Sequence, residues 1–84
     1  MKDSKINVEL IVPSILEKYN IFLPANKTIG EIIVILNKTI NEITGCFPTN
    51  DKLCILDVME NKIYSPKMEL LNSGIKNGSV LALI

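Results

Sequence analysis

Residues 28–44, near the middle of the chain, carry the pattern of one capped amphipathic helix. Thr28 and Glu31 have the spacing of a capping box, in which each side chain bonds the backbone N–H of the other. Apolar residues then recur at helical spacing along a single stripe: Ile29, Ile32, Ile33, Leu36, Ile40 and Ile43. Val34 lies off this stripe, and Gly45 follows as a left-handed C-terminal cap. The sequence therefore predicts one helix that buries one face.

The segments before and after this helix alternate apolar and polar residues, as strands with one buried face do. Residues 6–12 and 19–23 predict a hairpin that turns at Pro13, with Phe22 facing outward. Three further strands are predicted at 52–58, 63–64 and 79–84, and one helical turn closed by Gly74 precedes the last of them. The chain thus predicts a sheet of four or five strands with one helix.

Asp57 determines which residues of the third strand are predicted to face the core. An unpaired carboxylate is costly to bury, so we expect Asp57 to face outward. Because side chains alternate along a strand, this choice also turns Leu53 and Ile55 outward. It turns the intervening residues inward: Cys54, Leu56 and Val58.

This order of elements resembles ubiquitin along nearly the whole chain, from Ile6 to Ile84. The resemblance rests on the capped helix, on the seven-residue spacing from Leu56 to Ile63, and on the segment 71–83 with its Gly-Ile-Lys-Asn-Gly centre. It implies an α+β fold of the ubiquitin-like β-grasp type, with a mixed four- to five-stranded sheet packed on a helix over about 28–44. We expect a single domain over 1–84, in which 1–5 form a mobile N-terminal lead.

Within ubiquitin-like proteins, the pattern Leu-x-x-x-Gly-Ile-x-Asn-Gly at 70–78 is similar to that of small bacterial proteins of the YukD or EsaB type. Those proteins accompany type VII (WXG100) secretion systems. Ser79 departs from the pattern, since that group tends to carry an aspartate there. The resemblance implies a cytoplasmic, unconjugated accessory or regulatory protein that acts by noncovalent contact.

Two other functions remain open at this stage. The chain could be a ubiquitin-like domain detached from a larger membrane component of a secretion system. It could also be a modifier or sulfur carrier whose glycine tail is absent. Covalent attachment needs a flexible tail that ends in glycine, whereas this sequence ends in Leu83-Ile84. Neighbouring genes, or extra residues found after Ile84 in native protein, would separate these functions.

The composition argues against catalysis and against several classes of ligand. The chain has no histidine to act as a general base near neutral pH, and Cys46 and Cys54 have no visible catalytic partner. Two cysteines without a secretion signal are more often reduced thiols than a disulfide or a metal site. Nine lysines balance nine carboxylates without a basic block, which disfavours nucleic acid. We therefore expect no enzyme activity, cofactor, metal or small-molecule substrate.

No apolar stretch approaches the roughly 18 residues of a membrane span, and the N-terminus lacks the core of a signal peptide. We therefore expect a cytoplasmic protein that does not insert into a membrane.

One surface is the predicted site of function. In the ubiquitin-like sheet order the last strand lies between the first and the third, which makes their outward residues lateral neighbours. The predicted protein-interaction patch comprises Ile11, Phe22, Leu53, Ile55, Val80, Ala82 and Ile84. Its partner would be a secretion component or a second copy of the chain.

Two considerations limit this prediction. Asp57 stands where ubiquitin has the isoleucine of its own recognition face, so ubiquitin's partners are not implied. The alternative to a patch is that Leu53 and Ile55 turn inward through a bulge, or that the hairpin loop covers Phe22, which leaves only scattered exposed residues.

Overall fold

The computed structural model describes residues 5–45 and 53–84, which form one five-stranded sheet and one long helix. The elements, in chain order, are β1 (Lys5–Val12), β2 (Glu17–Pro24), α1 (Ile29–Thr44), β3 (Ile55–Asp57), β4 (Lys62–Ile63) and β5 (Ser79–Leu83). Short 3₁₀ turns lie at Pro13–Ile15 and Leu70–Asn72. Lys5 belongs to β1 and not to a mobile lead, and residues 1–4 lie outside the described part of the chain.

The sheet has the order β2-β1-β5-β3-β4, with β5 in the middle. β5 runs parallel to β1 and antiparallel to β3, whereas β1 and β2 form an antiparallel hairpin and β3 and β4 a second one. The mixed sheet on one helix confirms the predicted ubiquitin-like β-grasp fold. The outward and inward sides predicted for β1, β2 and β5 are also those observed.

The helix begins as its capping residues predict. The Thr28 N–H donates to Glu31 Oε1 at 2.9 Å, and the Glu31 N–H donates to Thr28 Oγ1 at 3.2 Å. The bond from the Thr28 backbone also lowers the pKa of the exposed Glu31 carboxylate. Gly45 ends the helix with a φ of 77°.

One face of α1 covers the sheet through the predicted apolar stripe, which is buried at Ile29, Ile32, Leu36 and Ile40. Ile33 is half-buried against the same core. The prediction is wrong for Ile43, which is 61% exposed. Ile43 lies in the last helical turn, and the stripe is covered only along the length from Ile29 to Ile40.

The predicted orientation of β3 is wrong. Ile55 is fully buried in the core, Leu53 packs against that core, and Asp57 is only 4% exposed. Asp57 can face inward because its carboxylate is fully paired: Oδ1 accepts the N–H groups of Met59 and Glu60, each at 3.1 Å. Oδ2 accepts the hydroxyl of Tyr64 at 3.0 Å. The penalty for an unpaired carboxylate, on which the prediction rested, therefore does not apply.

Because the side chains of β3 face the opposite way from the prediction, the residues predicted to be inward lie on the side of the sheet away from the core. Cys54 and Leu56 are half-buried there, and Val58 is 43% exposed. Cys46, the possible partner of Cys54 in a disulfide, lies outside the described residues.

Candidate protein-binding surface

A row of apolar side chains crosses four strands on the side of the sheet that faces away from α1. The register places Ile11 of β1 opposite Ala82 of β5, and Ala82 opposite Leu56 of β3. Leu56 in turn lies opposite Ile63 of β4. With strands about 4.8 Å apart, this row spans roughly 14 Å of continuous apolar surface.

Apolar side chains also flank this row on both sides. Val58 lies beside Val80, whose carbonyl accepts the Val58 N–H at 2.9 Å. Beyond Ala82, Ile84 continues the line of β5 and exchanges backbone hydrogen bonds of 2.7 and 2.9 Å with Cys54. We define the outer-face patch as Ile11, Leu56, Val58, Ile63, Val80, Ala82 and Ile84.

Exposure varies within the outer-face patch. Ile63 and Ile84 are 56% and 47% exposed, and Ile11, Leu56 and Val80 are half-buried. Ala82 is only 5% exposed, because its short side chain lies between the larger ones of the neighbouring strands. Ala82 thus lies at the centre of the outer-face patch, between the larger side chains of Ile11 and Leu56.

Polar side chains border the outer-face patch on the β2 side. Lys18 and Glu9 form an exposed ion pair with 3.7 Å between Nζ and Oε2. The Asn7 side-chain amide donates to Asn20 Oδ1 at 2.7 Å. An exposed ion pair of this kind contributes little stability, but it marks where the apolar surface ends.

The seven residues predicted for the interaction site divide into three groups. Four lie together in the outer-face patch: Ile11, Val80, Ala82 and Ile84. Phe22 faces the same side and is 66% exposed, but its neighbour across the hairpin is Asn7, so polar side chains separate it from the patch. Leu53 and Ile55 lie on the inner side, so their place in the predicted patch is corrected.

The sequence prediction missed three members of the outer-face patch: Leu56, Val58 and Ile63. The omission of Leu56 and Val58 follows from the orientation predicted for Asp57. So does the interpretation that Asp57 occupies the place of ubiquitin's isoleucine on this face, because Asp57 is buried on the inner side. The outward residue next to Ala82 is Leu56. A usable signal existed, because an Asp just before a turn accepts hydrogen bonds from the backbone two or three residues later.

The Asp57–Tyr64 hydrogen bond holds the turn that presents Val58 and Ile63. Tyr64 is 5% exposed, and burial together with its bond to Asp57 raises its pKa from 10.0 to about 12. Within this turn Asn61 has a φ of 54°, a conformation that asparagine tolerates. The phenol therefore stays protonated at neutral pH and keeps donating to the carboxylate.

A polar groove of about 510 Å³ lies beside this turn, with walls formed by residues that include Asp57, Tyr64, Lys62 and Lys76. Every buried side-chain polar atom of the described residues has a hydrogen-bond partner. Residues 5–45 and 53–84 also contain no group of three or more His, Cys, Asp or Glu side chains placed to hold a metal ion. The described residues therefore show neither an unpaired buried polar group nor a metal-binding cluster in this groove.

Comparison with known proteins identifies the fold and not a family. No family model matches the chain, and no curated protein matches it. Among solved structures it is similar to the EccD5 ubiquitin-like domain from Mycobacterium xenopi, with a TM-score of 0.75, 19% identity, and coverage of 96% of this chain and 93% of that one. It is also similar to the ubiquitin-like domain of the Mycobacterium tuberculosis type VII secretion system protein EccD1, with a TM-score of 0.72, 14% identity, and 96% and 98% coverage.

The same fold occurs in an enzyme complex. A chain of the toluene 4-monooxygenase HD complex matches with a TM-score of 0.78, 10% identity, and 95% and 96% coverage. Identities this low establish the ubiquitin-like fold alone, which is shared with domains of type VII secretion proteins. In the part of the chain that the structure describes, no helix has the length and apolar character needed to cross a membrane.

Proposed function

We propose that this chain is a non-catalytic, unconjugated ubiquitin-like module that binds a protein through the outer-face patch. The observation that carries the proposal is the unbroken apolar row Ile11–Ala82–Leu56–Ile63, on the face of the sheet opposite α1. Soluble proteins seldom leave a contiguous apolar surface of several side chains without a partner. The surface offers no catalytic group, which favours recognition over chemistry.

We further propose that the module works in the cytoplasm as an accessory or regulatory component of a bacterial type VII secretion system. The sequence pattern at 70–78 and the likeness to two EccD ubiquitin-like domains support this setting. That likeness also supports the second candidate, in which the chain is the ubiquitin-like domain of a larger secretion component. Both candidates bind through the outer-face patch. They differ in whether the chain is a separate protein or a domain of a larger one.

Complementation of a deletion strain tests the proposal. Ile63→Lys adds a charge to the outer-face patch at a side chain that is 56% exposed, and Val34→Lys adds the same charge to α1 at a side chain that is 67% exposed. We expect the wild type and Val34→Lys to restore export of type VII substrates and Ile63→Lys to fail. Circular dichroism should show that all three proteins are folded.

Two results would contradict the proposal. Deletion that leaves type VII export unchanged would refute the secretion role, and full complementation by Ile63→Lys would refute the role of the outer-face patch. The second candidate predicts that the chain is found in cells only as part of a longer polypeptide, which an immunoblot of the native protein measures by its size.

A further inference from the structure

β2 forms one edge of the sheet and is regular along its whole length. Its eight residues pair one-to-one with β1, from Val12 opposite Glu17 to Lys5 opposite Pro24, without a bulge. β2 is the first strand in the sheet order, so its other side has no neighbouring strand among the described residues. Natural edge strands usually carry a bulge, a central proline or several charges that prevent further pairing. β2 has only Lys18 and Glu17 at one end and Pro24 at the other.

The register shows which backbone groups of β2 point away from the sheet. The Asn7 N–H donates to Asn77 Oδ1 at 2.8 Å, and the Asn7 carbonyl accepts the Gly78 N–H at 2.9 Å, so both groups point towards β5. Backbone groups alternate along a strand, so those of Ile6 and Val8 point towards β2. On β2 the alternation then leaves the N–H and C=O groups of Lys18, Asn20 and Phe22 directed outward.

The edge also carries an apolar side chain that the outer-face patch does not explain. Phe22 is 66% exposed and separated from that patch by Asn7 and Asn20. On the inner side of the same strand, Tyr19 and Ile21 are only half-buried, although they pack against the core. A strand added at this edge would cover side chains on both sides of the sheet.

We propose that the β2 edge binds a second copy of this chain, with the two β2 strands antiparallel and related by a twofold axis at Asn20. In this register Asn20 pairs with Asn20 of the second copy, and Lys18 pairs with its Phe22. All three outward N–H groups of each copy then find a carbonyl acceptor on the other. The two sheets become one continuous sheet of ten strands.

The side chains of β2 are complementary to themselves in this register. Each Lys18 ammonium lies beside the aromatic ring of the opposing Phe22, an attractive cation–π arrangement. On the inner side each Tyr19 faces an Ile21, an aromatic and β-branched pair of the kind that stabilises antiparallel strands. Glu17 falls opposite Leu23, so no like charges meet. The chain carries no net charge, so two copies approach without overall repulsion.

Other registers that use the same outward groups are less favourable. A twofold axis at Lys18 places two lysines directly opposite each other. An axis at Phe22 places Asn20 opposite Pro24, which has no N–H to donate. An axis at Tyr19 places Phe22 opposite Leu16, which lies outside β2, and an axis at Ile21 places Lys18 opposite Pro24. The register centred on Asn20 is therefore the one that pairs Lys18, Asn20 and Phe22 within β2 of both copies. An unrelated extended peptide would have to supply the matching side chains.

Phe22→Lys and Phe22→Glu make a matched pair of variants for this proposal. Both remove the aromatic ring and add one charge at an exposed position. In the proposed register the lysine introduced by the first variant faces Lys18 of the other copy and repels it, whereas the glutamate introduced by the second forms an ion pair with Lys18.

Analytical ultracentrifugation measures the association of the wild type and both variants. We expect the weight-average mass of the wild type to rise above 9.3 kDa towards twice that value as the protein concentration approaches about 1 mM. Phe22→Lys should weaken association about tenfold or more, and Phe22→Glu should retain it.

Two further measurements identify the register. The double variant Lys18→Glu, Phe22→Lys should recover the association lost in Phe22→Lys. Amide hydrogen exchange at Lys18, Asn20 and Phe22 should slow with rising concentration, while exchange at Tyr19 and Ile21, whose amides point towards β1, should not change.

A wild type that stays at 9.3 kDa at about 1 mM would overturn the proposal. Equal weakening by Phe22→Lys and Phe22→Glu would also overturn it, because an unregistered apolar contact does not distinguish the two charges. Loss of association in Ile63→Lys but not in Phe22→Lys would assign the dimer to the outer-face patch instead.

Discussion

At the scale of single residues, Ile55 and Leu56 show how the orientation of β3 decides whether a side chain belongs to the core or to the outer-face patch. The two residues are adjacent, but Ile55 is fully buried under α1, whereas Leu56 lies in the outer-face patch. A charge at Leu56 or its neighbour Ile63 tests binding. A charge at Ile55 would test only folding, because it would be buried without a partner.

The free energy of unfolding distinguishes these two positions. We expect Ile55→Ala to lower it by about 2–5 kcal/mol, because the substitution removes three carbon atoms from a packed core. Leu56→Ala should cost less than about half of that, since its side chain keeps contact with water. Urea unfolding of both variants measures the difference, and equal costs would contradict the observed orientation of β3.

Leu16 shows local backbone strain at the tip of the first hairpin. It has a φ of 56°, in the left-handed region that disfavours residues with a side chain, and it is 91% exposed, so packing gives little in return. We expect Leu16→Gly to raise the free energy of unfolding by about 0.5–1 kcal/mol, after the greater freedom of glycine in the unfolded chain is deducted.

Asn61 supplies the matched control for Leu16, because it is also exposed and has a φ of 54°. Asparagine adopts this conformation more readily than leucine, so Asn61→Gly should gain less than Leu16→Gly. A larger gain at Asn61, measured in the same urea titration, would argue against strain at Leu16.

At the scale of elements, the sequence predicts most of the fold because several signals agree. The capping box, the helical stripe and the strand alternation each point to the same order, and the central position of β5 follows from the resemblance to ubiquitin. Even the left-handed cap at Gly45 is present in the sequence. Local patterns of this kind depend on residues close together in the chain, which is why they are readable.

The predicted orientation of β3 is wrong because the prediction did not account for the hydrogen-bond partners of Asp57 in the turn that follows. The rule that carboxylates avoid the core is correct only for an unpaired group. Asp57 is paired by Tyr64, seven residues later, and by the turn between them. The candidate site inherits this error at Leu53 and Ile55, which lie on the inner side, whereas Phe22 lies outside the patch because Asn7 separates it.

The turn between β3 and β4 should make stability depend on pH in the alkaline range. The pKa of Tyr64 is raised to about 12 in the folded state, so the unfolded chain loses this proton first as the pH rises. The contribution of the protonated phenol is complete below its usual pKa of 10.0 and is lost as the pH rises towards about 12. We expect the free energy of unfolding of the wild type to fall over this interval.

Tyr64→Phe should remove this alkaline loss relative to the wild type, although it leaves Asp57 with one bond fewer and is less stable at neutral pH. Tyr19→Phe is the control and should keep the loss. Unfolding titrations at several pH values provide the measurement. An unchanged pH profile in Tyr64→Phe would show that the Tyr64 hydroxyl does not titrate as described.

At the scale of the whole molecule, the sheet has two unlike faces, and β2 forms one of its two edges. The inner face is closed by α1, the outer face carries the outer-face patch, and β2 leaves its backbone groups unpaired on one side. The outer-face patch and the β2 edge lie on different strands, so self-association at β2 leaves the row from Ile11 to Ile63 accessible. A dimer of this kind would present two copies of the outer-face patch to a larger assembly.

Photo-crosslinking in cells tests the central claim, which is that the outer-face patch contacts a protein partner. A photoreactive phenylalanine analogue would replace Ile63 in one variant and Val34 in the other, two exposed residues on opposite sides of the molecule. The account predicts a crosslinked product at position 63 that mass spectrometry assigns to a type VII secretion component, and none at position 34. Absence of a product at position 63, or the same products at both positions, would contradict it.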